Sequence, residues 1–432
     1  MWSYVGPALQ ELAFRLTMPL STGPRLTSLL GAMAAATALL GWLLSMKTDR
    51  RVSVVLALIF LLDPMFVQNY RGARIDCWAL TFCIGGCWLV RYAMARMQAG
   101  RPFRSAVTSA GVLVATSFFI WPSVAVTYPL VIAELFLLLR TQYAMRLSVT
   151  DIVRSVAAFA GGGLAATAML LIPVWHLVDD FFNDIRPVLK ASQPAYQFQN
   201  QIQSLFNSFK LSQVLPISIL VAFVYARGKS LACATTIAIA YLCSTWVYLN
   251  RLIYLLPYAI GLIASAYQTP VALRWKARHF ILNTALAILV VVSITLSLIV
   301  RPAIALSQQE SRDPSALFQL GRDSIGTGPH RVYVDAWEFY FVGRELGWRM
   351  FNEYVDADQI SFSRLLETVD YAILAKGSVG AAFETRLAKA GLSFQKELPV
   401  KRQQTIGFTQ LSNLGAKPYG PYLLYSRRAT SP

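Results

Sequence analysis

The sequence predicts a polytopic α-helical membrane protein of about ten transmembrane helices, followed by a small extracytoplasmic α/β domain. Three observations predict it. Charged residues make up 14% of the chain against 56% hydrophobic ones, and the mean hydropathy is +0.48, whereas an ordinary soluble domain carries about 25% charged residues. Apolar runs recur up to residue 300, with Lys and Arg concentrated between them. After Arg301-Pro302 the pattern changes to short β-like runs separated by helical stretches. The expected domains are therefore 1–300, whose residues 1–24 form an interfacial amphipathic segment, and 301–432.

The net charge of +17 is unevenly placed: residues 301–432 hold 16 Lys/Arg against 13 Asp/Glu, and residues 1–300 hold 23 against 9. An excess between apolar runs follows the positive-inside rule rather than a surface that tracks phosphates, so nucleic acid is not an expected partner.

A crossing needs about 20 mostly apolar residues, which places spans near 27–46, 52–68, 75–95, 106–121, 123–139, 155–177, 213–226, 230–248, 252–268 and 279–300. Trp121-Pro122-Ser123 and Leu249-Asn250-Arg251 leave almost no loop, so those pairs are expected as tight helical hairpins. One set of alternate loops holds fifteen basic residues: Lys47, Arg50, Arg51, Arg91, Arg96, Arg101, Arg104, Arg140, Arg146, Arg154, Arg227, Lys229, Arg274, Lys276 and Arg278. The opposite set holds six: Arg71, Arg74, Arg186, Lys190, Lys210 and Arg251. The rule assigns the richer face to the cytoplasm. The protein is then expected in the inner (plasma) membrane, with the Asn69–Asp76 turn, the 178–212 loop and the C-terminal domain outside the cytoplasm.

Tyr4 to Leu16 has helical spacing, with Leu9, Leu12, Ala13 and Leu16 expected to face lipid or protein. An extracytoplasmic start with no preceding span leads to the expectation that a first crossing is missing ahead of it. The five cysteines all fall in predicted spans and are odd in number, so no structural disulfide is expected. Beyond Arg301, Arg331–Val334, Asp370–Leu374 and Tyr422–Tyr425 read as strands. Helical stretches near Glu338–Leu346, Phe362–Val369 and Gly380–Ala390 alternate with them.

The residues that invite a chemical reading sit near the arginine-poor face. Arg71 and Arg74 lie within one turn between two apolar runs. Snorkelling to lipid headgroups is the plain explanation, and bidentate binding of a lipid-linked phosphate is the functional one. Asp76 follows as the expected start of the next helix, favoured by its dipole or paired with one of the arginines. Asp63, inside the second span before Pro64, is a candidate because an ionised acid there is costly. Asp179 and Asp180, with Asp184 and His176, suit a divalent-metal or acid/base site, or simply a solvated helix end. Glu134 is expected to pair with a nearby arginine. Arg251 and Tyr254 are three apart and share a helix face.

Taken together, the turn arginines, the hairpin Phe118-Phe119-Ile120-Trp121-Pro122, the run Arg251-x-x-Tyr254-x-x-Pro257 and the ending Gly420-Pro421-Tyr422-x-Leu424-Tyr425 resemble the GT-C glycosyltransferases. Within that superfamily the chain is most similar to the polyprenyl-phosphate-sugar enzymes: protein O-mannosyltransferases, the lipid A aminoarabinose transferase and lipopolysaccharide-core galacturonosyltransferases. Tyr4 to Leu16 followed by Gly23-Pro24-Arg25-Leu26 is similar to the family's interfacial helix and the opening of its second span. The resemblance covers the whole chain through loose, single-residue matches. It implies a transferase that moves a sugar from an undecaprenyl-phosphate-linked donor to an envelope glycolipid, polysaccharide or protein, among membrane lipids and with a divalent cation as the one cofactor to consider. It implies Arg71, Arg74 and Arg251 as donor-phosphate ligands with Asp76 as a weaker neighbour, and Asp179 and Asp180 as acceptor-side or metal residues; Asp63 and Tyr254 are supporting candidates on their own chemistry. The family's catalytic acid in the first external loop has no counterpart; Glu11 sits on the amphipathic segment, at the wrong place. A lipid-linked sugar transporter or flippase, or a non-catalytic polyprenyl-phosphate-binding partner, are the competing classes.

Overall fold

The computed structural model of the 432-residue chain describes residues 4–17, 22–177, 202–203, 205–207, 209, 211–225, 229–244, 249–268, 276–307, 309, 312–336, 338–351, 364–377, 381–398 and 419–427. The chain divides into two compact units, a helical one that runs to Leu298 and a second that begins at Ile299 and holds a five-stranded sheet.

The helical unit opens with α1 (Val5–Thr17), α2 (Thr22–Ser45), α3 (Arg50–Leu62), α4 (Pro64–Arg71), α5 (Asp76–Gln98) and α6 (Arg104–Ile120). A 3₁₀ turn, Pro122–Thr127, leads into α7 (Tyr128–Ala144), and α8 (Val149–Leu171) follows. After the 178–200 stretch come α9 (Val214–Tyr225), α10 (Lys229–Ser244), α11 (Leu249–Leu252), α12 (Leu256–Ala266) and α13 (Lys276–Ile294). Among the described residues, five helical segments are long and apolar enough to cross a membrane: Gly23–Ser45, Asp76–Gln98, Pro122–Ala144, Val149–Leu177 and Phe280–Ser307. The bent pair α3–α4 makes a sixth if it acts as one span.

The expectation of ten full crossings is therefore met only in part. Among the described residues, helix length is the reason. α9 and α12 have 12 and 11 residues, about 18 Å at 1.5 Å per residue, against a hydrocarbon core of about 30 Å. Apolar composition marks where a helix lies, but the 3₁₀ turn Ile253–Leu255 and Pro257 at the head of α12 restart the helix partway along the ninth run.

Local chemistry also explains the 53° bend between α3 and α4. Pro64 has no N–H to continue α3, and it suits the first position of a new helix. Asp63 caps that helix: its Oδ1 accepts from the backbone N–H of Met65 at 3.0 Å and of Phe66 at 3.4 Å. Its Oδ2 accepts from the Ser212 hydroxyl at 2.6 Å. The carbonyls freed at the break find donors, Leu62 from Ser297 Oγ at 2.7 Å and Leu61 from the Tyr70 hydroxyl at 3.5 Å. Away from water, a broken helix persists only where such partners exist.

Packing in this unit is close where glycine allows it. α6 and α8 run against each other so tightly that a Cβ on Gly111 would lie 2.0 Å from the Phe159 carbonyl oxygen, and one on Gly162 2.2 Å from that of Thr108. Small residues at such crossings let the backbones touch. The outer face of α8 exposes Val153, Leu164 and Met169, a surface suited to hydrocarbon. Deeper in the unit Glu134 is buried and joined to two helices: Trp42 Nε1 donates to its Oε1 at 3.1 Å, an Arg91 terminal nitrogen donates to the same oxygen at 3.0 Å, and Arg91 Nε pairs with Oε2. The arginine expected beside Glu134 is thus Arg91.

The second unit carries α14 (Arg301–Ser307), α15 (Pro314–Ser324), β1 (Arg331–Val334), α16 (Phe339–Glu345), β2 (Arg349–Phe351), β3 (Tyr371–Ala375), α17 (Ala381–Lys389), β4 (Leu392–Leu398) and β5 (Tyr422–Arg427). The sheet order is β2-β1-β3-β5-β4; β1 is parallel to β2 and β3, while β5 runs antiparallel to both β3 and β4. Val332, Val334, Ile373 and Leu424 pack with Phe339 on one face, and Tyr333, Ala372, Leu374 and Tyr425 pack with Leu387 on the other. The strands expected from sequence are β1, β3 and β5. The edge strands β2 and β4 were not anticipated, for a physical reason: β2 has three residues, and β4 places four consecutive residues in solvent around a register shift at Phe394/Lys396, which erases the two-residue alternation.

Candidate functional site

The Asn69–Asp76 turn joins α4 to α5. α4 ends at Arg71, Gly72 caps it, and Ala73 takes φ +57, a left-handed conformation that costs a non-glycine residue about 1–3 kcal/mol. The surroundings hold it there. The Gln10 side-chain amide donates to the Ala73 carbonyl, the Ser28 hydroxyl donates to the Arg74 carbonyl at 2.7 Å, and the Ala73 N–H donates to the Tyr70 carbonyl at 3.2 Å.

α1 lies across this end of the bundle. Gly6 approaches so closely that a Cβ there would sit 2.3 Å from Ile75 Cδ1 and 2.6 Å from the Ile120 carbonyl oxygen, and the Tyr4 hydroxyl donates to the Leu170 carbonyl at 3.0 Å. The stripe α1 turns towards the protein is Gly6, Gln10 and Phe14, four residues apart, with Gly6 and Phe14 buried. This refines the expected face: Leu9 and Ala13 are half-buried, while Leu12 and Leu16 are 54% and 76% exposed. The exposed leucines suit an interfacial helix.

At the other end of the turn Asp76 is the first residue of α5 and buried, where the helix dipole favours a carboxylate. Its Oδ2 accepts from Arg74 Nε at 2.8 Å, and its Oδ1 accepts from the Tyr254 hydroxyl at 2.8 Å. Tyr254 is itself fully buried in the Ile253–Leu255 turn. One helical turn on, the Tyr258 hydroxyl donates to the Val126 carbonyl at 2.7 Å and accepts from the Leu130 N–H at 3.2 Å, fixing the Pro122–Thr127 segment against the same element. Arg74 lies 5.9 Å from the centroid of the Trp121 ring and remains 33% exposed. Among the described residues nothing accepts a hydrogen bond from its terminal guanidinium nitrogens. A cation oriented through Nε, beside an aromatic ring and without an acceptor at its forked end among the described residues, has the donors to take an anion.

The remaining sequence-derived residues divide. Arg71 ends α4 and Arg251 lies in α11, which packs beside α4; both side chains are half-buried. The short segment that carries Arg251 leads directly into Tyr254, so the structure gathers the elements of all three arginines around the turn. Asp63 caps α4, as described above. Asp179 and Asp180 lie outside the described residues, and with them the expected acceptor-side or divalent-cation site. No group of three His, Cys, Asp or Glu suited to a metal occurs among the described residues. The cysteines are free; Cys77 Sγ lies 3.6 Å from the Asn69 side-chain oxygen, and the buried Asn69 Nδ2 has no hydrogen-bond partner among the described residues.

No protein-family model, curated protein or solved structure matches this chain. The site therefore rests on its own geometry.

Sequence reading missed Gln10 and Ser28 because each acts on a backbone carbonyl some 46 to 63 residues away. The available signal was a polar residue on the buried stripe of an amphipathic helix. Trp121 had been noted as part of a hairpin, and only the fold brings it beside Arg74.

Proposed function

We propose that this protein is a membrane glycosyltransferase that moves a sugar from an undecaprenyl-phosphate-linked donor to an envelope glycolipid, polysaccharide or protein on the extracytoplasmic face. The observation that carries the reading is Arg74, oriented by Asp76, set beside Trp121 and with no acceptor for its terminal nitrogens among the described residues. When the bond between the sugar's anomeric carbon and the phosphate oxygen breaks, negative charge collects on that oxygen. A preorganised guanidinium in a semi-dry site stabilises the charge as it develops. Arg71 and Arg251 add positive potential at the same end of the bundle. Asp76 acts here as a positioning residue rather than as the base, since each of its oxygens already accepts a hydrogen bond, one from Arg74 and one from Tyr254.

The second reading is a partner that binds polyprenyl phosphate without chemistry, which suits an Asp76 whose two oxygens both already accept a hydrogen bond. One experiment separates the two. In lipid nanodiscs, radiolabelled undecaprenyl-phosphate sugar and a mixed envelope acceptor fraction should give transfer that falls by roughly 10²–10³-fold in Arg74→Ala, the loss that follows removal of one charge-stabilising donor. Donor binding without transfer supports the binding partner. Undiminished transfer in both Arg74→Ala and Arg71→Ala removes the turn from the site.

A further inference from the structure

We propose that the groove between α17 and strands β4 and β5 is a carbohydrate-binding site that takes neutral sugar rings. The groove is open to solvent and has a volume of about 700 Å³, within the range of about 300–1,000 Å³ typical of ligand sites. It lies wholly within the second unit and is independent of the donor-site reading.

The strand chemistry builds it. Leu392 and Leu398 bury the two ends of β4, and between them the chain exposes Ser393 in part and then Phe394, Gln395, Lys396 and Glu397. Phe394 is the exception in this polar run, an aromatic ring 54% exposed on an edge strand. Its register partner is Tyr425, so the two rings stand side by side, centroids 5.7 Å apart at 71°. Above them α17 contributes Glu384, whose Oε1 is 3.5 Å from the Tyr425 hydroxyl. That is the outer limit of a hydrogen bond, so both groups keep capacity for a ligand. Burial first, and the Glu384 carboxylate second, raise the Tyr425 phenol above its ordinary pKa and keep it a donor at neutral pH. Ala388 and Gly391 line the groove with almost no side chain and leave its floor open.

These groups select a ligand by elimination. An anion would meet Glu384. A purely apolar ligand would strip water from a carboxylate and a phenol without replacing their hydrogen bonds. Addition of a peptide strand to the β4 edge is opposed by the irregularity at Phe394/Lys396 and by the exposed Lys396. A sugar ring presents what remains: an apolar C–H face for Phe394, and equatorial hydroxyls that donate to Glu384 and accept from Tyr425.

The full chain in nanodiscs, titrated with neutral oligosaccharides of glucose, mannose, galactose and N-acetylglucosamine and followed by saturation-transfer NMR, tests the site. At least one series should bind. Phe394→Ala should weaken that binding by roughly tenfold or more, Phe394→Tyr should preserve it, and Ala388→Tyr should block it by filling the groove. Phe394 and Ala388 are exposed, so unchanged melting should accompany each variant. Arg74→Ala should leave this binding intact, which separates failure here from failure of the donor site. Absence of binding by every series, or binding unaffected by both Phe394→Ala and Ala388→Tyr, overturns the proposal.

Discussion

The helical unit contains two arginine–carboxylate pairs of the same chemistry and different consequence. At the turn, Asp76 holds Arg74 and is held by Tyr254; deeper in the unit, Glu134 holds Arg91 and is held by Trp42. Both carboxylates are buried and each takes one aromatic donor from a distant helix. The guanidiniums differ. Arg91 engages Glu134 through Nε and a terminal nitrogen and is 16% exposed, whereas Arg74 engages through Nε alone and is 33% exposed. One pair closes on itself, and the other leaves its terminal nitrogens without an acceptor among the described residues. Burial of an ion pair is thus no sign of function in itself; an uncommitted end of the cation is the informative feature.

Breaking the closed pair should produce the largest effect. Glu134→Ala leaves Arg91 buried without its counter-ion, which costs about 3–5 kcal/mol. Thermal melting in detergent should show a strongly destabilised protein, while a change confined to donor binding would contradict the structural assignment. Tyr254→Phe sharpens the contrast at the other pair. It removes one hydrogen bond to a charged acceptor, worth about 1.5–3 kcal/mol, and it should also lower donor-phosphate affinity by loosening Asp76 and hence Arg74. Lost stability with unchanged donor affinity would show that the aim of Arg74 does not depend on Tyr254. The smallest effect belongs to the exposed pair on α1, Arg15 and Glu11, 2.7 Å apart with Arg15 75% exposed. Arg15→Ala should cost about 0.3–0.5 kcal/mol, and a loss comparable to that of Glu134→Ala would mean that α1 is held down by charge rather than by Gly6 and Gln10.

The contrast also separates what was legible in the chain from what was not. Arg74 and Asp76 are two residues apart, so their pairing could be anticipated from spacing. Arg91 and Glu134 are 43 residues apart, and the chain alone indicates an arginine beside Glu134 without saying which one. Tyr254 and Arg251 were noted for sharing a face, but their meeting with Asp76 and α4 depends on how α11 packs. Asp63 shows the reverse case: an acid in an apolar run is costly and a functional candidate, while Asp-Pro also carries a local meaning, a cap followed by a first-turn proline, and the fold contains that cap.

The sequence by itself determined composition, the positions of the apolar helices, the break in character near residue 300 and three strands of the sheet. These follow from local quantities such as hydropathy, helix caps, proline and two-residue alternation. Tertiary structure alone decided which side chains complete the turn and that an exposed phenylalanine borders a groove. Each of those depends on groups far apart in the chain arriving at the same few ångströms, where a lost hydrogen bond or an open guanidinium is decided by its neighbours in space.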